Sequence, residues 1–437
     1  MSRRGGDARA DVQWNLGTVE TARGEATWRY AAAGAIPQVV ARPRSIEQVV
    51  EAVRLVRERK GGLIACGKGE RLAIGARPRR YDVALAMGEI RAVQSHRAED
   101  MTVTVEAGMS LTSLDRELAK NDQCLPFDPA AAELTTVGGL IAADAAGPLR
   151  HRHGKVRDYL LGVELVSGAG QVVRAGGKVV KNVAGYDVSK LVVGSFGTLG
   201  VIVSATFKTR PRPRSRAVYV WECGDVGEAI GRAVGLDRGT CVPAFLEALN
   251  EAACEAVSLE GTAALLIGLQ GSAAEVEDQA KRLFAATAGA TRRWPPHTEE
   301  GALQAMRNFA LPIHEDALVA KVAVPPTLLA DLMVRLEGEA KSRGAVVEIS
   351  AHAAIGVARC QILAAARTEQ VQLIAEWLRL AARQRGGAVV YEAIPDPLCG
   401  KIDPWGFAGR AVRLMRGVKS AFDPDGIMSP GRFVGGI

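Results

Sequence analysis

Apolar residues recur at helical spacing after Ser45: Ile46, Val49, Val50, Val53 and Val56 share one face. Ser45 predicts the N-cap of this helix, and Gln48 completes an S-x-x-Q capping box. Gly61 and Gly62 are expected to end it. Leu63 to Cys66 then reads as a short buried strand running into a glycine turn at Gly67 to Gly69. Met101 to Gly108 alternates apolar and polar positions, the mark of a half-buried strand, and Leu111 to Leu118 reads as a helix. Leu161 to Ala175 predicts two strands joined at Ser167-Gly168-Ala169-Gly170.

Thr209 to Arg216 reads TRPRPRSR, an extended and semi-rigid connector, and places a domain boundary there. Beyond it the rhythm changes. Ala217 to Trp221 predicts a strand, Val226 to Val234 a helix, Ala263 to Gly268 a strand and Ala273 to Ala286 a helix. Ala317 to Val324, Thr327 to Ser342, Val346 to Ser350, Gly356 to Ala365, Glu369 to Gln384 and Ala388 to Glu392 continue as strand, helix, strand, strand, helix, strand. That β-α-β-β-α-β order suits an antiparallel sheet with helices on one face, a ferredoxin-like cap. A helix at Gly409 to Ala421 and the turn-rich FDPDGIMSPGRFVGGI close the chain. The segments are an N-terminal extension (1–35), a first domain (36–213), a cap (214–400) and a C-terminal helix and tail (401–437).

A length of 437 residues predicts two or three domains. No apolar run approaches the roughly 20 residues that cross a bilayer. Met1 to Asp11 lacks the apolar region of a signal peptide, so a cytoplasmic chain is expected. The seven cysteines are scattered and never form C-x-x-C, which suits a reducing compartment and argues against an iron–sulfur cluster on this chain alone. The formal charge of +7 sits largely in clusters at Arg42 to Arg44, Arg77 to Arg80 and Arg210 to Arg216. These are either solvated surface or attraction for anions. No aromatic residues interleave with them, so nucleic acid is not an expected partner.

Glycine gathers at four places in the first half. They are Gly67-Lys68-Gly69-Glu70-Arg71, Thr135-Thr136-Val137-Gly138-Gly139, Ala145-Ala146-Gly147 with Gly154, and Gly194-Ser195-Phe196-Gly197-Thr198-Leu199-Gly200. Freed of side chains, such backbone amides can converge on phosphate oxygens, and threonine hydroxyls can add donors. Taken singly, each could simply turn a corner between strands. The third glycine of G-x-G-x-x-G is replaced by Leu72, and no P-loop motif occurs, so neither standard nucleotide fingerprint fits.

The array ARPRSIEQVVEAV, the Gly67 loop, TTVGGLIAADAAG, HGKVRDYLLGVELVSGAGQVV and GSFGTLGVI resembles the FAD-binding domain of the vanillyl-alcohol-oxidase, or PCMH-type, superfamily. The stretch from Gly176 to Gly200, with Asp403-Pro404-Trp405-Gly406 and FDPDGIMSPGRF, is similar to FAD-binding subunits of bacterial glycolate oxidases. The resemblance implies an α+β protein. Its PCMH-type FAD-binding domain has two α+β subdomains, its cap is ferredoxin-like, and its C-terminal segment returns to the FAD domain. It implies pyrophosphate contacts from Gly67, Lys68, Gly69, Glu70 and Arg71, and a second phosphate and ribityl contact from Thr136, Gly138 and Gly139. It further implies a strip beside the isoalloxazine at Ala146 and Gly147, a third loop at Gly154 and Asp158, and an adenine-side segment at Gly197, Val201 and Ile202. Covalent members carry His in the Gly67 loop; none stands here, so FAD is expected without a covalent link.

Two departures stand out: Phe196 replaces a Glu of related 2-hydroxy-acid dehydrogenases, and Ser429 replaces the usual Asn of the tail. Oxidising a 2-hydroxy acid needs a cation for the carboxylate and a base for the hydroxyl. His352 matches the first residue of the H-A-G-D-G-N-x-H motif of metal-assisted relatives, but the acidic residue and second His are gone, with Arg359 at the last position. No metal is therefore expected. His352 is either a lone base or a packing histidine. Arg152 and His153, in Arg150-His151-Arg152-His153, are either surface charge or a carboxylate-binding or phosphate-steering site. Lys181, Tyr186 and Lys190 lie in the family-specific stretch. The resemblance implies partners: a small 2-hydroxy-acid substrate, an iron–sulfur subunit, a second FAD subunit, and peripheral membrane association through that complex. Two alternatives stay open: an electron-relay or assembly subunit, and a stand-alone FAD alcohol oxidoreductase.

Overall fold

The computed structural model describes residues 14–177, 187–312, 316–363, 368–406 and 409–437. Two sheets build the first domain. The smaller contains β1 (Glu20–Ala22), β2 (Val39–Arg42), β3 (Leu63–Cys66) and β4 (Val83–Ala86) in the order β1-β2-β4-β3, with β2, β4 and β3 parallel. Helix α1 (Ile46–Glu58) makes the crossover and buries Val49, Ala52, Val53 and Val56 against it. Ser45 accepts from the Gln48 amide at 3.3 Å, while the Gln48 side chain accepts from Arg44 rather than Ser45. The helix ends sooner than its glycines suggest. Lys60 takes the left-handed turn (φ 51), and the Gly61 amide reaches back to the Val56 carbonyl at 2.9 Å. Gly61 is needed for another reason: a Cβ there would stand 2.4 Å from the Trp14 ring.

The larger sheet is antiparallel. It contains β5 (Val93–Arg97), β6 (Thr102–Glu106), β8 (Leu160–Ser167), β9 (Val172–Gly176) and β10 (Gly200–Lys208) in the order β5-β6-β10-β8-β9. Helices α2 (Leu111–Ala119) and α3 (Val137–Ala143) pack on one face; Val166, Val201 and Val203 on the other join the core of the smaller sheet. A short ladder of β7 (Gln123–Cys124) with β11 (Arg210–Pro211) pins the expected connector to this domain. Two short helices, α4 (Arg150–His153) and α5 (Val188–Val192), complete it.

The cap is an eight-stranded antiparallel sheet. Its strands are β12 (Ser215–Cys223), β13 (Phe245–Asn250), β14 (Ala263–Gly271), β15 (Thr291–Arg293), β16 (Leu318–Ala323), β17 (Val346–His352), β18 (Val357–Leu363) and β19 (Ala388–Ala393). The order β15-β12-β14-β13-β17-β18-β16-β19 is two ferredoxin-like β-α-β-β-α-β units joined edge to edge through β13 and β17. The sequence reading found one unit; the other was hidden because β13 and β15 had not been recognised. Helices α6 (Val226–Asp237), α8 (Ala273–Ala286), α10 (Pro326–Ser342) and α11 (Thr368–Gln384) cover one face. The opposite face, with α7 (Glu251–Ala256) and α9 (Pro296–Asn308), turns toward the first domain.

The C-terminal segment returns to the first domain. After α12 (Ala411–Phe422), the tail runs beside β3: Leu63 donates to Ile427 and Ser429 donates to Leu63, both at 2.8 Å. Buried Asp423 accepts from the Ile427 and Met428 amides, and Lys419 meets it at 2.6 Å. None of the helices among the described residues is long and apolar enough to cross a membrane.

Asp128 sits where the two domains meet. It accepts from the Leu149 amide at 3.0 Å and lies 3.5 Å from Arg307 of α9. Burial pushes its carboxyl up to about 7, against the pull of Arg307 and the Leu149 amide. An unfolded chain releases that proton near pH 3.9, roughly. The native state therefore holds more protons between the two values, and stability falls as pH rises through that window. Asp128→Asn keeps an acceptor but removes the titration. Thermal unfolding from pH 5 to 7.5 is expected to show a smaller loss of midpoint in the variant. Equal losses in both proteins reject this assignment.

Candidate functional site

The walls of the site come from both sheets of the first domain. Cys66 and Gly67 leave the end of β3, and Thr136 caps α3 by accepting from the Gly139 amide at 3.2 Å. A Cβ on Gly67 would lie 2.3 Å from the Thr136 hydroxyl, and one on Gly138 would lie 3.1 Å from the Ala107 Cβ. Missing side chains thus open a cleft between Met87 and Gly67 on one wall and Ala107, Gly138 and Ile202 on the other. Gly67, Gly139 and Gly197 also line a second cleft, shared with Gly69, Glu70, Arg71, Phe196 and Arg432. Arg71 and Ala143 carry the lining on into a third, where Asp144, Ala146 and Gly147 face Lys321, Ser350, His352, Arg359 and Glu392 of the cap. The three clefts form one trough ending under the cap sheet.

Most of the expected cofactor residues meet in this trough: Gly67, Gly69, Glu70, Arg71, Thr136, Gly138, Gly139, Ala146, Gly147, Gly197 and Ile202. Four do not line it. Lys68 donates to the Glu133 carbonyl at 2.9 Å, and Val201 is buried in the core between the sheets. Strand alternation gives the trough to Ile202 and turns Val201 away. Asp158 accepts from the Lys155 amide at 2.8 Å and crowds Gly154, so these two close a local turn.

Arg152 and His153 also lie elsewhere. Arg152 donates to the Val242 carbonyl at 3.0 Å, and His153 sits 2.7 Å from the Gln270 amide nitrogen. Burial, then Arg210 and Arg152, push the His153 ring down to about 4, which suits a neutral acceptor holding the cap. Lys190 pairs with Asp187 at 3.9 Å; Lys181 and Tyr186 fall outside the described residues.

The cap wall carries charge. Arg359 lies 3.0 Å from Glu392, and Lys321 lies 3.9 Å from it. Burial pulls the Lys321 ammonium down, opposed by Glu392. Burial pushes Glu392 up, but Arg359 and Lys321 outweigh it and hold the carboxyl below its ordinary range. Arg71 is lowered by burial and engaged by Glu70 at 2.6 Å and Thr135 at 2.8 Å, so it builds the wall. His352 contacts Glu247 through Nδ1 and Arg359 through Nε2. Sequence reading missed Glu247, Lys321, Arg359 and Glu392 as a group. A single charge inside an apolar strand was the available signal, as in FLEALN, LVAKVA and AVVYEA.

The trough fits a long ligand with linked phosphates and a flat ring. Its glycine corners leave room that a Cβ would fill. Buried polar atoms without a protein partner border it: Asp144 Oδ1, Ser429 Oγ and Arg432 Nε. Asp144 lies in the third cleft, Arg432 in the second, and Ser429 stands against Gly197.

Residues 37–176 match the FAD binding domain family, and residues 212–390 and 405–433 match the C-terminal domain of FAD linked oxidases. Glycolate oxidase subunit GlcD of Bacillus subtilis is 24% identical over 91% of this chain and 89% of that protein. Glycolate oxidase subunit GlcE of Escherichia coli is 41% identical over 29% of this chain and 36% of that protein. A solved alkyldihydroxyacetonephosphate synthase superposes with a TM-score of 0.71 at 18% identity, over 91% of this chain and 78% of that one, and shares the fold. With both halves matched and the trough reaching from the first domain to the cap, the chain belongs to the FAD-linked oxidases of the PCMH-type superfamily and is an enzyme that binds FAD.

Proposed function

We propose that this chain oxidises glycolate or a similar short 2-hydroxy acid as the FAD-binding subunit of a glycolate oxidase-like complex. The observation that carries the reading is the placing of Arg359, Lys321 and His352 together at the capped end of the trough. Gly67, Gly69, Thr136, Gly138 and Gly139 would hold the pyrophosphate with neutral donors, and Ile202 and Met87 the adenine end. Ala146, Gly147 and Asp144 would flank the flavin ring. When bound, FAD supplies the acceptor for a hydride from the substrate α-carbon.

The chain's own residues do the rest. Arg359 and Lys321 bind the carboxylate, the guanidinium offering a fork that matches it. His352 Nε2 is the base that takes the hydroxyl proton. The cap excludes water from this end. Among the described residues no histidine lines the Gly67 corner, which favours a non-covalent cofactor. The next carrier would be a separate iron–sulfur subunit, since the dispersed cysteines of the described residues gather no cluster ligands, and a second FAD subunit would complete the complex. The scattered thiols also suit a cytoplasmic chain.

Two measurements test this. In Gly67→Ala the new methyl meets Thr136, and flavin retention is expected to weaken by at least about tenfold, or 1.4 kcal/mol, with circular dichroism unchanged. A variant that keeps its full flavin rejects the placement. Mixed anaerobically with glycolate, the isolated FAD-loaded chain is expected to bleach near 450 nm, and His352→Gln to slow this by roughly 100-fold. Absence of bleaching, with electrons still accepted from a reduced partner, favours the relay reading instead.

A further inference from the structure

We infer that Arg359 keeps His352 covered as a base until a carboxylate claims the guanidinium, and that Glu247 is the positioning residue that keeps the ring aimed. The inference rests on the proposed oxidation of a 2-hydroxy acid at this site. Glu247 and His352 stand directly opposite each other on β13 and β17, at the joint between the two ferredoxin-like units. They are 1% and 8% exposed. Glu247 accepts from His352 Nδ1 in a short hydrogen bond, and its other oxygen accepts from the Ser350 hydroxyl at 3.2 Å. A carboxylate on Nδ1 assigns the proton to that nitrogen and leaves Nε2 with a bare lone pair. That lone pair is occupied: Arg359 Nη1 donates to it at 3.1 Å.

Arg359 is suited to moving. Its Nε is anchored 3.0 Å from Glu392, so the side chain is tethered at one edge of its fork. Three cap cations line this cleft; Arg307 is engaged by Asp128 and Glu300, which leaves Arg359 and Lys321 around the single carboxylate of Glu392. Asp144 stands on the opposite wall, and Glu247 is committed to His352 and Ser350. One more anion therefore completes the charge of this wall, and a fork–fork pair with a carboxylate is stronger than a single bond to a neutral imidazole. As the guanidinium turns to that carboxylate, Nε2 is released to accept the adjacent hydroxyl proton.

The arrangement makes the substrate's own carboxylate the switch for the base. A neutral diol of the same size does not draw Arg359 away and finds Nε2 covered. Discrimination between a 2-hydroxy acid and a diol then appears in kcat as well as in KM.

The test uses the FAD-loaded full chain with its six histidines labelled with nitrogen-15, His352 being assigned through His352→Gln. The unliganded protein is expected to show Nδ1 protonated and Nε2 as a hydrogen-bonded acceptor. Saturating oxalate, a carboxylate that cannot donate hydride, should move Nε2 to the position of a bare nitrogen, whereas ethylene glycol should leave it in place. Arg359→Gln should start at the bare position and ignore oxalate. Glu247→Gln, nearly isosteric, should mix the two tautomers and lower kcat by roughly 10- to 100-fold with KM unchanged.

An unmoved Nε2 signal, with oxalate binding confirmed by the flavin spectrum, overturns the inference. So does an Arg359→Gln spectrum identical to that of the unaltered protein. Failure of oxalate to perturb the flavin overturns the substrate reading and the trigger with it, while the two variants still decide whether Arg359 covers Nε2 and Glu247 fixes the tautomer.

Discussion

A side chain on Gly67 would meet the Thr136 hydroxyl at 2.3 Å, and the trough depends on that close approach. Gly67 follows the last residue of a parallel strand, and Thr136 caps a helix laid on the antiparallel sheet. The two subdomains touch there with backbone against a short side chain. What a Cβ would occupy becomes space for a ligand, and the nearby amides become its donors. The space stays open because the sheets are tied elsewhere. Val166, Val201 and Val203 of the larger sheet share a core with Leu63, Val83 and Leu85 of the smaller. A fixed core at one depth and missing side chains at another produce a groove whose first cleft, between Met87 and Ile202, has no cation among its described lining residues.

The cap completes the site through a duplication. Two ferredoxin-like units pair at β13 and β17, and their common sheet presents one apolar face to its helices. The other face looks toward the first domain, and there strand alternation places Glu247, His352, Arg359, Lys321 and Glu392 on the same side. Buried charges of this kind persist when each has an opposite neighbour. Here Arg359 and Lys321 have Glu392, and Glu247 has hydrogen bonds from His352 and Ser350, yet the two cations share a single carboxylate. In the proposed oxidation that imbalance draws an anion to the wall, and the seam would supply the base beside it.

Periodicity and glycine spacing made much of this legible. Helix α1, helix α8 and strand β3 follow from local pattern, because their apolar stripes and caps act within a few residues. The glycine corners were readable because a ligand of linked phosphates asks for amides at several separate turns. The cap site was not. Glu247 and His352 are neighbours only through the β13–β17 pairing, and that strand pair is absent from any local window. Arg152 and His153 drew attention as a dense basic run, but density of charge says nothing about direction. Their side chains point to Val242 and Gln270 and help hold the cap. Gly61 was read as a helix stop, whereas Lys60 makes the turn and Gly61 makes room for Trp14.

The two departures from the family pattern find their reason in the segment after the cap. Phe196 adopts a positive φ of 51, a strained choice for a bulky residue. It is held by edge-on contact with Trp405 at 5.0 Å and by Phe433 at 6.0 Å. Trp405 donates to the Arg432 carbonyl at 2.7 Å, and the Arg432 guanidinium donates to Leu72 at 2.7 Å and to Ile74. Ser429 sits wholly buried at φ 45, and its hydroxyl lies against Gly197. The aromatic trio thus clamps the Gly194–Gly200 loop to the tail, and Arg432 clamps the tail to the loop after Gly67. Where related dehydrogenases place a carboxylate at position 196, this chain places a ring whose role is to close that corner. In the proposed reaction the acid–base chemistry would accordingly fall to the cap wall.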